Sequence, residues 1–342
     1  MPSPYGGVRA VVLVPARLLE TLEPAGTDLG GNDAAASDTG PGDTDEKPYV
    51  TPLLLGDMPG HAGPDGVIDV RRHYAYPVPM QVICELTGVP EPWRPRLREL
   101  VDSIFRTETT AEEVTATQRE RVQMLRDLVA LRTRQPEEDL TTALLAARAD
   151  DPAALTDEEL VDTLWLMLTA GHETTLSLIV NATRALLTHP DQRSIAAAGD
   201  DQTWAAVVEE TLRWDAPIGN FMARYPLEDV VIAGVTIPAG EAILAAYSGV
   251  GRDPAQHGPD ADEFDITRYH ERHLAFGDGP HLCLGASLAR VEATIALRAL
   301  FERFPGLALA VPPAALIPVP SLCSNSVRAL PVRLGAGSDG AA

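Results

Sequence analysis

The stretch Phe276-Gly277-Asp278-Gly279-Pro280-His281-Leu282-Cys283-Leu284-Gly285 sets one cysteine among three glycines, a proline and a histidine. Such a run cannot continue a helix or a central strand, so the backbone turns tightly and can approach another group closely. Leu284, Leu288, Val291 and Ile295 then recur at helical steps, and the pattern runs to about Phe304 before Pro305-Gly306 stops it. Cys283 therefore stands at a helix start, where unpaired amides and the positive end of the helix dipole favour a thiolate over a thiol. A thiolate is what a soft metal wants. A lone cysteine is ordinarily a small buried hydrophobe. That role needs neither flanking glycines nor an aromatic seven residues earlier and a histidine two residues earlier. No second cysteine lies within C-x-x-C reach, which removes a zinc site. One thiolate on one metal leaves the other positions to a macrocycle.

With the residues quoted, the block matches the haem-binding signature of the cytochrome P-450 family, and the chain resembles its bacterial, actinomycete-like soluble class. The resemblance implies that Cys283 is the axial ligand of the iron of haem b. It places Phe276 beside the sulfur, Gly277 and Gly285 at the close approach of backbone to haem, and Arg224 and His281 as cations for the two propionates.

A long helix over Thr156 to Thr188 must carry the other face of such a site. Thr156 with Glu159 forms a capping box, and Leu160, Leu164, Met167, Gly171, Thr175 and Leu178 hold one face until His189-Pro190 breaks it. At about 1.5 Å per residue it spans roughly 48 Å. Polar residues interrupt its centre at Ala170-Gly171-His172-Glu173-Thr174-Thr175. Small residues there let a flat ligand lie against the backbone, and a mid-helix threonine can bond the carbonyl four residues back and bend the helix open. By spacing alone this is equally a kink or a site. In the family it corresponds to the oxygen-binding helix, with Ala170 and Gly171 against the haem and Glu173 and Thr174 managing protons.

A helix over Gln202 to Asp215 puts Glu210 and Arg213 on one face. Glu-x-x-Arg alone is usually a surface ion pair worth under about 1 kcal/mol. In the family it is the buried pair that ties the core beneath the haem. A further arginine often joins it from the segment before the cysteine loop, and there this chain has Glu263, leaving Arg268 or His270 as the third partner. Runs at 230–232, 235–237 and 242–244 read as a small meander. The segment Pro312 to Leu334 reads as a terminal β-hairpin whose turn near Ser324-Asn325 touches substrate in the family. Val67 to Val70 and the helix ending on Gly88 and Pro90 resemble the mid-chain region of bacterial members. Arg94 to Phe105 and Thr115 to Arg134 read as two amphipathic helices.

The fold class is thus mainly α, the P-450 fold: a helical bundle with a long central helix and small β-meanders. Similarity runs from about Val50 to Leu334, so 50–342 is expected to be the haem domain. Residues 1–49 do not match. They hold an apolar cluster over Val8 to Leu22 and an acidic Gly, Ala, Ser and Thr tract over Asp28 to Pro48, which is expected to be disordered. The helices that usually come first are missing or diverged, so the fold is expected to be N-terminally incomplete.

Of 342 residues, 45% are hydrophobic and 22% charged, enough to build a core. Three distant cysteines, Cys84, Cys283 and Cys323, argue against a disulfide framework and for a reducing compartment. No eighteen-residue apolar span or secretory leader is visible, and the expected location is cytoplasmic. A net charge of -22 repels phosphate backbones and anionic membranes, which speaks against nucleic-acid and membrane partners. Twenty-six arginines against one lysine suggest a GC-rich bacterial genome.

The resemblance implies a haem-thiolate monooxygenase of secondary metabolism. It would hydroxylate or epoxidise a small organic substrate with O2 and electrons from NAD(P)H, delivered through a ferredoxin or flavodoxin and its reductase. The competing reading is a degenerate, non-catalytic module that acts as a binding partner.

Overall fold

The computed structural model describes residues 50–103, 110–151, 155–269 and 272–335. The sequence reading of residues 1–49 and of His270 lies outside them. The chain divides into two compact units, one containing Val82–Thr169 and the other Leu53–Gln81 with Ala170–Ala342.

Helix α1 (Val50–Asp57) leads through a short turn into strand β1 (Val67–Asp69) and a single π-helical turn, Arg71–Ala75. Asp69 pins that turn by accepting the amides of Arg71 at 3.0 Å and Leu330 at 2.8 Å. Buried Tyr74 anchors it from the other side, its hydroxyl donating to the Ala296 carbonyl at 2.6 Å. Helix α2 (Pro77–Leu86) follows and ends at Gly88, which holds the positive φ of 74° that a helix stop favours.

In the first unit lie α3 (Arg94–Ser103), α4 (Ala111–Arg134), α5 (Leu140–Asp150) and the first part of α6 (Asp157–Thr188). Helix α4 starts earlier than its apolar pattern suggests, because Thr110 and Glu113 close a capping box. Helix α5 escaped the sequence reading. Asp139 caps it, accepting the Thr142 amide at 2.8 Å, and pairs with Arg132, which also donates to the Gly88 carbonyl at 2.7 Å. The Thr156–Glu159 capping box of α6 forms as expected, with the Thr156 amide 2.8 Å from the Glu159 carboxylate. Among the described residues no helix is long and apolar enough to cross a membrane.

The second unit continues with α7 (Pro190–Ala198), which has proline in its first turn, and α8 (Asp201–Trp214). Strands β2 (Phe221–Arg224), β3 (Val230–Ile232), β4 (Val235–Ile237) and β5 (Ile243–Ala245) come next, then short helices α9 (Tyr247–Gly251) and α10 (Pro254–His257). After the cysteine loop the chain closes with α11 (Ala286–Arg303), β6 (Ala308–Leu309) and β7 (Pro331–Arg333). The expected meander is two sheets: β3 and β4 form a hairpin, while β5 turns away to pair with β2. The expected terminal hairpin is reduced to a bridge between Pro318 and Val327, and β7 instead lies between β1 and β6.

The core of this unit gathers Leu176, Ile179, Val208, Leu212, Ala296, Leu297 and Leu300. Helix α11 is where the periodicity placed it, but the face is different. Ala293, Ala296, Leu297 and Leu300 are buried, whereas Leu284 and Ile295 are exposed. Alanines let α11 lie close along α8, so the bulkier leucine and isoleucine positions are turned outward.

Candidate functional site

The loop 276–285 folds on itself through its glycines. Gly277 and Gly279 have φ of 75° and 69°, in the region that disfavours a side chain. A Cβ on Gly277 would also come within 3.4 Å of the His281 carbonyl and 3.5 Å of the Tyr247 hydroxyl. Between them the Cys283 amide donates to the Phe276 carbonyl at 2.8 Å, and Gly279–His281 make one 3-10 turn. Gly285 caps α11, and its amide donates to the Cys283 sulfur. Cys283 is exposed, flanked by the exposed apolar side chains of Leu282 and Leu284.

The helix start does not by itself draw the thiol down. Desolvation by surrounding protein pushes its pKa up, and the Gly285 amide and the charge of Arg290 oppose that push without overcoming it.

Behind the loop stands a charged group that sequence reasoning missed. Glu209 of α8 pairs with Arg290 of α11 at 2.5 Å and with His273 Nε2 at 3.1 Å. Desolvation pushes the Glu209 carboxyl up, but the hydrogen bonds and charges of His273 and Arg290 outweigh it and hold it at about 2. The Arg290 guanidinium lies over the Phe276 ring, 4.5 Å from its centroid.

Beneath this lies the buried pair. Arg213 donates to both Glu210 oxygens at 2.8 and 2.6 Å, and to the carbonyls of Gly251, Ala261 and Glu263. Glu210 also accepts the Asp265 amide at 2.8 Å. Arg268 is the third partner, its Nε 3.7 Å from Glu210, while Glu263 contributes only its carbonyl. Of the two sequence alternatives, Arg268 lies beside the pair, and His270 lies outside the described residues.

On α6, Thr174 donates to the Ala170 carbonyl at 2.7 Å, the back-bond expected of a mid-helix threonine. Glu173 is tied up: Arg71 of the π turn donates to it at 2.8 Å, and Ser177 reaches it at 3.4 Å. Arg71 lies 102 residues earlier in the chain, and no local pattern marks it. His172 is fully buried, with Nε2 3.2 Å from the Tyr76 carbonyl and its ring edge-on to Tyr76. The segment 170–175 and the cysteine loop both lie in the second unit and are anchored by separate partners.

Arg224, at the end of β2, is exposed and stacks on Phe221, which stacks in turn on Tyr247, whose hydroxyl lies beside Gly277. His281 is also exposed. Among the described residues neither Arg224 nor His281 makes an ion pair, so both side chains are available to anionic groups. Ser324 and Asn325, with Asn220, Ser248 and Arg252, line a polar cavity of about 350 Å³. The Asn325 amide also donates to Asp215 at 3.0 Å and to the Ala216 carbonyl at 2.9 Å.

The donor set fits a haem. One sulfur is available for iron, leucines flank it to meet an apolar ring, and Arg224 and His281, free of ion pairs among the described residues, suit two carboxylates. The profile of the cytochrome P450 family matches residues 87–195 and 204–309. This chain belongs to the cytochrome P450 family. It is 42% identical over 279 residues to the cytochrome P450 monooxygenase PikC of Streptomyces venezuelae, covering 81% of this chain and 66% of that one. It is 39% identical over 286 residues to the 6-deoxyerythronolide B hydroxylase of Saccharopolyspora erythraea, covering 83% and 69%. The solved structure of CYP154C4 from Streptomyces sp. W2061 superposes with a TM-score of 0.78 at 44% identity, over 85% of this chain and 70% of that one. The chain thus spans about two thirds of the length of the curated relatives it matches. Members of this P450 family hold haem through a cysteine thiolate and work with O2, a redox partner and a small-molecule substrate, and haem is the cofactor of this chain.

Proposed function

We propose that the chain is a haem-thiolate monooxygenase of bacterial secondary metabolism, with residues 50–342 as its haem domain. The observation that carries the reading is Cys283, exposed in a glycine turn and receiving the Gly285 amide on its sulfur. Haem, when bound, supplies electron transfer to O2 and its activation, favoured by the anionic sulfur. Cys283 provides that sulfur, and Phe276 limits water beside it. Arg224 and His281 would hold the propionates, and the backbone at Gly277, Gly285, Ala170 and Gly171 would permit close approach of the ring.

On the oxygen side, Thr174 offers a hydroxyl whose proton now rests on the Ala170 carbonyl. Its lone pairs can accept while that bond persists, and donating a proton to any other acceptor would require leaving it. Glu173 passes protons from solvent toward Thr174, and Arg71 keeps its carboxylate in place. Glu210 and Arg213 hold the segment that leads into the loop. The substrate is a small tailored natural product of the polyketide, terpenoid or peptide kind, in keeping with relatives named for hydroxylation of 6-deoxyerythronolide B and of mycinamicin IV. Electrons come from NAD(P)H through a ferredoxin or flavodoxin with its reductase, in the cytoplasm.

The test is the carbon monoxide complex of the reduced protein. A strongly red-shifted Soret band, lost in Cys283→Ala, is expected. A band typical of histidine ligation overturns the proposal.

A further inference from the structure

Three side chains behind the cysteine loop, Arg290, Glu209 and His273, have no part in the mechanism above, and they close on the ring of Phe276. Arg290 is held in a fork by Glu209, Nε to Oε1 at 2.5 Å and Nη2 to Oε2 at 3.2 Å. His273 completes the clamp. Its Nδ1 accepts the Ala275 amide at 3.2 Å, so Nε2 carries the proton and donates to Glu209 at 3.1 Å. Thus fixed, the guanidinium covers the face of Phe276 at 4.5 Å, and the His273 ring packs on the same phenyl at 5.9 Å. Phe276 is the residue whose carbonyl accepts the Cys283 amide. A permanent cation and its counter-charge therefore sit one aromatic ring away from the segment that carries the sulfur. Packing alone would be served as well by an aliphatic side chain over Phe276. A charge clamped in place by two partners points instead to an electrostatic task.

We propose that the Arg290–Glu209 pair sets the reduction potential of the thiolate-bound iron, Arg290 raising it and Glu209 holding that effect in check. The inference rests on the haem-thiolate reading. An added electron makes the iron site more negative, so a nearby cation favours the reduced form and a nearby anion the oxidised form. Arg290 acts across the ring of Phe276, whose carbonyl holds the Cys283 amide, and its charge favours the anionic sulfur. Glu209 acts by neutralising Arg290, and His273 keeps Glu209 turned toward it. Arg290, Glu209 and His273 are thus positioning residues, acting through the Cys283 loop.

The experiment is spectroelectrochemical titration of the ferric/ferrous couple in the holoprotein at low ionic strength, comparing wild type with Arg290→Met, Glu209→Gln, the double variant and Arg290→Lys. Arg290→Met leaves an uncompensated anion and should move the equilibrium toward the ferric form on the order of tenfold, 59 mV for one electron. Glu209→Gln leaves an uncompensated cation and should move it the opposite way. The double variant should return to near wild type, and Arg290→Lys should stay within about threefold of it. A brace that is only structural predicts otherwise: both single variants shift in the same direction, the double is worst, and lysine does not rescue. Shifts of one sign, or shifts under about twofold in both single variants, overturn the inference while the carbon monoxide spectrum still shows thiolate. A wild-type spectrum without thiolate overturns the functional reading, and this one with it. If Arg290→Met does not retain haem, the sign of the Glu209→Gln shift decides alone.

Discussion

Glu292, in the second turn of α11, is buried and has no partner for its Oε2. Desolvation pushes its carboxyl from the ordinary 4.5 up to about 8. Below pH 4.5 the folded and unfolded chains both hold this proton. Between 4.5 and 8 the folded protein keeps it while the unfolded chain releases it, so folding becomes less favourable as pH rises. At 1.36 kcal/mol per pH unit the loss across that window reaches about 5 kcal/mol, comparable to the whole stability of a marginal domain. Glu292→Gln keeps the shape and cannot ionise. Unfolding in guanidinium at pH 5, 6, 7 and 8, with both proteins in the same ligation state, should show the variant gaining steadily on wild type and ahead by at least about 2 kcal/mol at pH 8. The infrared band of a protonated carboxyl, absent in the variant, should vanish in wild type with a midpoint near 8. A constant difference in stability between the two proteins from pH 5 to 8 refutes the reasoning, because it means Glu292 ionises alike in both states.

Thr174→Ala should leave haem content and substrate binding nearly unchanged while more NAD(P)H is spent on peroxide, because the hydroxyl acts only after oxygen binds; product formed per NAD(P)H consumed is the measurement, and unchanged coupling reduces Thr174 to the back-bond on Ala170. Arg268→Ala strips fully buried Glu210 of one of two cationic neighbours and should cost about 2 to 4 kcal/mol in a denaturant titration, less than Arg213→Ala, which removes the short bonds as well. Gly251→Ala should destabilise by more than about 2 kcal/mol, since its Cβ would lie 1.9 Å from the Arg213 carbonyl, which is backbone and cannot swing away; a melting temperature equal to wild type would refute this.

What could be read from the residues and what could not divide along sequence distance. The capping box of α6 spans four residues and was legible. So were the glycine turn around Cys283, the Thr174 back-bond and the Glu210–Arg213 pair, each a local pattern whose chemistry is complete within one or two turns. The third partner of Glu210 stayed open between Arg268 and His270, because the choice depends on how a loop 55 or more residues away folds back over α8. Arg71 was invisible for the same reason, standing 102 residues from Glu173. The clamp on Arg290 joins positions 64 and 81 residues apart.

The orientation of α11 shows a second kind of limit. Apolar spacing found the helix but chose the wrong side, since the packed face combines Leu297, Leu300 and Phe301 with alanines that carry little apolar signal. The stripe Leu284, Leu288, Val291 and Ile295 is exposed or half-exposed, while Ala293 and Ala296 are buried. Alanine carries little transfer energy but permits close backbone approach, and the burial of large groups on α8, such as Val207, Val208 and Leu212, drives the contact instead. That close approach brings Arg290 within 2.5 Å of Glu209. Had α11 packed through its leucine stripe, Arg290 and Glu292 would both have been turned away from their present settings: one would lose its clamp over Phe276, and the other would titrate as an ordinary surface carboxylate. The charges behind the cysteine loop are thus a consequence of small residues in α11, and enlarging Ala293 or Ala296 should disturb the iron site without touching it.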